Sequence, residues 1–108
     1  MAKNSVIKAI SFMKDRLKES GLNISKIVIF GSQARGNAKE ESDVDVIIVS
    51  DDFSNKNIFK RAELTKDAEI LTIRKFMIPF DIITLTTEEL ENDESLISGY
   101  AKGGRIVF

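Results

Sequence analysis

Two aspartates, Asp43 and Asp45, interrupt one of the most apolar stretches of this 108-residue chain. The stretch from Asp43 to Ser50 is rich in valine and isoleucine, and β-branched residues of this kind favour a buried strand. Side chains at positions i and i+2 of a strand lie on one face, with α-carbons about 6.5 to 7 Å apart. Two carboxylates this close repel each other, and protonation of one or binding of a hard cation such as Mg²⁺ relieves the repulsion.

A third aspartate, Asp81, stands early in another apolar run, from Phe80 to Leu85. Three acids on two or three strands can hold two metal ions about 3.5 to 4 Å apart, an arrangement that activates an attacking oxygen and stabilises a phosphoryl leaving group. Ordinary roles stay open for two of them: Asp43 also suits a solvated strand edge or the cap of a turn, and Asp81 suits simple exposure. Asp45 has apolar neighbours on both sides, which favours a functional role.

The segment from Gly31 to Ser42 is small, polar and without an apolar period. Gly31 and Ser32 directly follow a β-branched run, where backbone amides and a serine hydroxyl at a turn can bind phosphate. Arg35 suits either a phosphate contact or an ion pair with one of the two glutamates of the same segment. The chain has no Walker A pattern, which excludes a P-loop nucleotide hydrolase.

Composition excludes several other kinds of chemistry. The chain contains no cysteine and no histidine, so thiol nucleophiles, thiolate zinc sites and Ser-His-Asp triads are absent. Sixteen Lys and Arg against 17 Asp and Glu give a net charge of -1, and we therefore expect no direct binding to nucleic acid. No apolar run approaches the roughly 20 residues of a membrane span, and the N-terminus does not resemble a secretory signal. We expect a cytoplasmic protein that does not bind membranes.

Apolar periodicity predicts the elements that position these residues. Short β-branched runs predict strands over Lys26–Phe30, Asp43–Ser50 and Phe80–Leu85, with an edge strand from Arg105 to the C-terminus. The helical pattern predicts a first helix from Asn4 to about Ser20, whose buried side carries Val6, Ile10, Met13 and Leu17. The order of elements implies an α/β fold with a sheet of three to four strands covered by helices.

Two further helices and a short one complete the prediction. The second runs from about Asn57 to Phe76, with Leu64, Ala68 and Leu71 on one apolar side. A second apolar side, with Ile58, Ala62 and Ile73, blurs the helical period. A capping box predicts the start of the third, with Thr86 as N-cap, Glu89 at the third helical position, and Leu85 and Leu90 as a hydrophobic staple. A short helix is predicted around residues 94–101.

The spacing of the polar motifs resembles a known signature. Gly31-Ser32-Gln33-Ala34-Arg35-Gly36, followed after five residues by Ser42-Asp43-Val44-Asp45-Val46, resembles the signature of the polymerase-β-like nucleotidyltransferase superfamily. The short length and the late acidic strand are similar to minimal nucleotidyltransferase (MNT) domain proteins, with residues 1–108 as a single domain. The resemblance implies a small mixed, partly antiparallel sheet flanked by helices.

The same resemblance implies roles for the residues. Asp43 and Asp45 would bind two Mg²⁺ ions, while Asp81 would bind the catalytic ion and help to activate the acceptor hydroxyl. Gly31 and Ser32 would hold the triphosphate of ATP, and Arg35 stays open between a phosphate contact and a structural ion pair.

By its resemblance to MNT proteins, this chain is similar to antitoxins that act on a small all-helical HEPN ribonuclease partner. They neutralise it by complex formation and, in some cases, by transferring AMP from ATP to a tyrosine of that partner. The resemblance therefore implies a Mg²⁺-dependent adenylyltransferase that acts as an antitoxin, in a homo- or hetero-oligomer. The alternative is a non-catalytic binding module that blocks the partner by complex formation alone.

Overall fold

The computed structural model describes residues 4–30, 43–92 and 104–108. The helices are α1 (Asn4–Glu19), α2 (Ile58–Phe76) and α3 (Thr87–Asn92), and a 3₁₀ turn covers Asp51–Phe53. The strands are β1 (Lys26–Phe30), β2 (Val44–Val49), β3 (Phe80–Leu85) and β4 (Arg105–Ile106). In these ranges no helix is long and apolar enough to cross a membrane. The predicted short helix around residues 94–101 lies outside the described residues.

The four strands form one mixed sheet in the order β3-β2-β1-β4. Strand β1 runs antiparallel to both β2 and β4, whereas β2 and β3 are parallel. A parallel pair cannot be joined by a tight turn, and α2 supplies the crossover between β2 and β3. The predicted α/β class, the mixed sheet and the C-terminal edge strand are confirmed.

One face of the sheet packs against α1 and α2. Val44, Val46 and Ile48 of β2 point to this face, because alternate residues of a strand share a side. Helix α1 contributes the predicted stripe together with Ala9; its buried residues are Val6, Ala9, Ile10, Met13 and Leu17. The spacing of these residues on one side of a helix explains why α1 buries that side.

The opposite face of the sheet holds a second, smaller apolar cluster. Its buried members are Val28, Phe30, Ile47, Val49 and Leu85, and Leu90 of α3 packs partly against them. The odd-numbered residues of β2 and β3 belong to this face. Asp45 and Asp81 therefore lie on the side of the sheet that α1 and α2 do not cover.

The apolar sides predicted for α2 are confirmed only at Ala68, which is buried, and at Ile73, which packs partly against the core. Leu64 and Leu71 keep 38% and 46% of their surface exposed, and the buried residues are Thr65, Ala68 and Thr72. The threonines tolerate burial because their hydroxyls donate to carbonyl oxygens one turn back, as Thr72 Oγ1 does to Ala68 at 2.7 Å. A pattern based on leucines alone misses this buried side, because it contains threonines whose hydroxyls are hydrogen-bonded within the helix.

The predicted capping box at the start of α3 is confirmed. The Glu89 amide donates to Thr86 Oγ1 at 3.0 Å, and the Thr86 amide donates to Glu89 Oε1 at 2.7 Å. The staple residues Leu85 and Leu90 meet in the smaller apolar cluster.

Candidate active site

The sheet brings the three predicted aspartates together. Asp45 of β2 stands in register with Asp81 of the parallel strand β3, and neighbouring strands lie about 4.7 to 4.9 Å apart. Asp43 immediately precedes β2 and lies two residues from Asp45, on the same side of the strand. Asp43 and Asp81 are exposed, and Asp45 is half-buried. The three carboxylates form an acidic edge where β2 and β3 begin.

Burial and mutual repulsion act on the central carboxylate. Burial raises the pKa of Asp45 above its usual value, and the negative charges of Asp81 and Asp43 raise it further. The two ion pairs among the described residues, Arg16–Glu19 and Arg61–Glu89, involve none of these aspartates. The acidic edge therefore concentrates negative charge that a cation would relieve.

A fourth carboxylate, Glu69 of α2, was missed by the sequence analysis. Burial raises the pKa of Glu69, and the charge of Asp81, on the edge strand β3, raises it further. A signal was present in the sequence: Glu69 stands four residues after Thr65 and three before Thr72, which are both buried. A pattern of apolar residues does not show this side of α2, because both flanking buried residues are threonines.

The donor set of the acidic edge fits Mg²⁺ in combination with a phosphate-bearing substrate. In the part of the chain that the structure describes, no group of three or more acidic side chains is arranged to hold a metal ion. Mg²⁺ does not need such a group, because it commonly binds one or two carboxylates together with substrate phosphates and water. Asp43 and Asp45 provide such a pair of carboxylates.

The predicted phosphate-binding residues Gly31, Ser32 and Arg35 lie outside the described residues. The residues on either side of the segment 31–42 are described. Phe30, the last residue of β1, pairs with Asp45 in the antiparallel ladder, and Asp43 resumes the chain beside it. Phe30 and Asp43, the described residues on either side of the Gly-Ser segment, therefore both lie at the acidic edge.

Comparison of the sequence with known families and proteins gives two findings. The profile of the family described as "Nucleotidyltransferase domain" matches residues 7–103. The chain is also similar to "Putative protein adenylyltransferase MJ1305" of Methanocaldococcus jannaschii, with 27% identity over 99 residues. That alignment covers 90% of this chain and 67% of the relative.

Comparison with solved structures shows the fold. A structure described as a toxin-antitoxin with AMP-PNP superposes with a TM-score of 0.66 at 16% identity, covering 98% of this chain and 73% of that chain. A putative nucleotidyltransferase from Sulfolobus solfataricus superposes with a TM-score of 0.55 at 24% identity, covering 87% and 84% respectively. At these identities the likeness concerns the arrangement of helices and strands alone.

Proposed function

The chain belongs to the nucleotidyltransferase domain family, and from that premise we propose that it transfers AMP from ATP to a hydroxyl group of a partner protein. The observation that carries the proposal is the register of Asp45 with Asp81, which joins two acidic strands into one edge. In the proposed reaction the acceptor oxygen bonds to the α-phosphorus, pyrophosphate leaves, and the hydroxyl proton passes to a carboxylate.

The three aspartates of the acidic edge have different roles in this proposal. Asp43 and Asp45 would hold Mg²⁺ together with the triphosphate, and Asp81 would complete the donor set for a second ion. When bound, Mg²⁺ supplies positive charge to the reacting phosphate and the leaving pyrophosphate. Asp81 is exposed at the start of β3, so it is accessible to an acceptor hydroxyl and suited to orient it and accept its proton.

The Gly-Ser motif would bind the nucleotide itself. Gly31 and Ser32 would hold the triphosphate through backbone amides and the serine hydroxyl. We assign Arg35 to a phosphate contact, because the described residues on either side of its segment, Phe30 and Asp43, lie at the acidic edge. Support for an adenine nucleotide comes from the structural neighbour described with AMP-PNP.

The proposed partner is a toxin, and the proposed role of this chain is that of its antitoxin. Support comes from the structural neighbour described as a toxin-antitoxin and from the relative named as a protein adenylyltransferase. We assign the partner to the small all-helical HEPN ribonucleases and the acceptor to a tyrosine, following the resemblance of the Gly-Ser and Asp-Val-Asp motifs to MNT proteins.

Intact mass spectrometry of the partner tests this function. After incubation with this chain, ATP and Mg²⁺, the partner should gain the mass of AMP less water. Asp81→Asn should stop the modification without dissociating the complex, because Asp81 acts on the acceptor and not on docking. Asp15→Asn, which neutralises an exposed acid of α1, is the matched control and should leave the modification intact.

A different result would favour the binding module. If the partner is inhibited without any gain in mass, and equally by wild type and by a variant with Asp43, Asp45 and Asp81 all changed to Asn, neutralisation needs no chemistry. The adenylyltransferase proposal is then wrong.

A further inference from the structure

Helix α2 carries an exposed stripe made of Leu64, Asp67, Leu71 and Lys75, here called the α2 stripe. The residues are spaced by three or four, so they lie along one side of the helix. That side is not the buried side, because Leu64 and Leu71 are 38% and 46% exposed and the two charged residues are exposed as well. Two exposed leucines one heptad apart are typical of a helix that packs against another helix.

A shallow groove runs beside the stripe, between α1 and α2. Leu64 and Leu71 are its apolar lining residues on α2, Glu63 and Asp67 are its acidic ones, and Arg16 and Glu19 line it from α1. Arg16 is already paired with Glu19 at 2.6 Å. In the described residues neither Glu63 nor Asp67 has an ion pair, so both carboxylates are open to a cation from outside.

Beyond the groove, Lys75 at the C-terminal end of the α2 stripe lies against aromatic rings. Lys75 Nζ lies 4.6 Å from the centroid of the Phe12 ring, and Phe12 packs edge-on against Phe76. Asp67 stands four residues before Leu71 and Lys75 four residues after it, which is about 6 Å along the axis on either side. Leu71 therefore lies midway between a negative and a positive residue of the stripe.

We propose that a second copy of this chain docks on the α2 stripe. A two-fold axis through Leu71 would run the two α2 helices antiparallel and bring the two Leu71 side chains together. Asp67 of each copy would then face Lys75 of the other copy, because the two lie at equal distances on opposite sides of the axis. An isologous interface requires this self-complementarity.

A two-fold axis through Leu71 pairs residues at equal offsets from position 71, so the two α2 helices overlap over residues 66–76, about 15 Å. The charge pattern excludes a parallel arrangement, which would place Asp67 against Asp67 and Lys75 against Lys75.

The proposal goes beyond the proposed function and does not depend on it. The acidic edge lies on the sheet face opposite α1 and α2, so docking through the α2 stripe would leave the aspartates of both copies open. Loss of the dimer should therefore leave nucleotide binding unchanged, and loss of the acidic edge should leave the dimer unchanged.

Sedimentation equilibrium of the full chain tests the dimer. We expect wild type to show twice the mass of one chain, and Leu71→Glu to raise the dimer dissociation constant at least about tenfold, because it places two negative charges across the axis. Ile70→Glu is the matched control: Ile70 is 41% exposed and next in sequence, but it points to a different side of α2. A monomeric wild type, or equal weakening by both variants, overturns the proposal.

Charge reversal tests the pairing without burying a new group. Asp67→Lys alone and Lys75→Glu alone should each weaken the dimer, because each creates two repulsive contacts. The double variant should restore it, and an equimolar mixture of the two single variants should form a heterodimer. Circular dichroism checks that each variant keeps its helices. Failure of both the double variant and the mixture to restore the dimer shows that Asp67 and Lys75 do not meet.

Discussion

The two ends of β3 carry carboxylates in opposite electrostatic situations. At its start, Asp81 stands beside Asp45, and burial and like charges raise the pKa of Asp45. Just beyond its end, Glu89 accepts hydrogen bonds from Arg61, and chiefly for that reason the pKa of Glu89 is lowered. In the absence of a cation, ionised Asp45 lowers the free energy of unfolding, whereas ionised Glu89 raises it.

The stabilising end is a closed hydrogen-bond network. Arg61 donates to both carboxylate oxygens of Glu89, at 2.8 and 3.2 Å, and also to the carbonyl oxygens of Thr84 and Lys56. Only 13% of the Arg61 side chain is exposed. Glu89 in turn accepts from the Thr86 amide. A guanidinium that is this buried needs its partners, so the network ties the start of α2 to the end of β3.

The acidic edge has no comparable network among the described residues. No Lys or Arg of the described residues pairs with the three aspartates. Their convergence lowers the stability of the fold and suits them to bind a cation together with a polyphosphate. The contrast separates acids that hold the fold from acids that are available for a ligand.

Replacing Asp43 and Asp45 together by Asn should have the largest effect. ATP with Mg²⁺ at 100 times its dissociation constant should stabilise wild type by about 2.7 kcal/mol, because the ligand binds only the native state. The double variant should lose the Mg²⁺-dependent part of this gain, measured by thermal unfolding with and without a chelator. Asp15→Asn should keep it. Equal gains in wild type and the double variant would mean that the acidic edge does not hold the cation.

Much of this arrangement could be predicted from the sequence. The α1 stripe, the strand from Lys26 to Phe30 and the capping box at Thr86 all depend on neighbours within a few residues, and the structure confirms them. The Asp43–Asp45 pair was recognised for the same reason, because the two-residue period of a strand places both on one side.

The rest depends on contacts between distant parts of the chain. Arg61 and Glu89 are 28 residues apart, and nothing near either residue shows that they meet. The register that sets Asp45 against Asp81 also comes from strand pairing rather than from local pattern. The buried side of α2 could not be read from apolar residues alone, because threonine counts as polar in a periodicity although its hydroxyl is satisfied within the helix.

Glu89→Ala tests the stabilising end and should have an intermediate effect. It removes a cap contact and leaves Arg61 without its carboxylate, which should lower the free energy of unfolding by about 1 to 3 kcal/mol. Glu91→Ala, at an exposed position of the same helix, should cost much less. Chemical denaturation of both variants gives the comparison, and equal costs would show that the network adds nothing.

The effect of Glu89→Ala should also depend on pH. The pKa of Glu89 is lower in the folded state than its usual value of 4.5. Its contribution is therefore present in full above pH 4.5 and is lost as the pH falls through the folded pKa. The gap between wild type and Glu89→Ala should narrow on acidification, and a gap that stays constant would assign the cost to packing alone.

Asp45→Asn should have the smallest effect and the opposite sign. The folded state raises the pKa of Asp45 above 3.8, so ionisation of this group destabilises the fold as the pH rises through that raised pKa, and the penalty is present in full at neutral pH. With a chelator present, Asn removes the penalty and should raise the free energy of unfolding by less than about 1 kcal/mol, because half-exposed charges are screened. The gain should vanish below pH 3.8, where the aspartate is protonated in both states, and a variant less stable than wild type at neutral pH would show that Asp45 supports the fold after all.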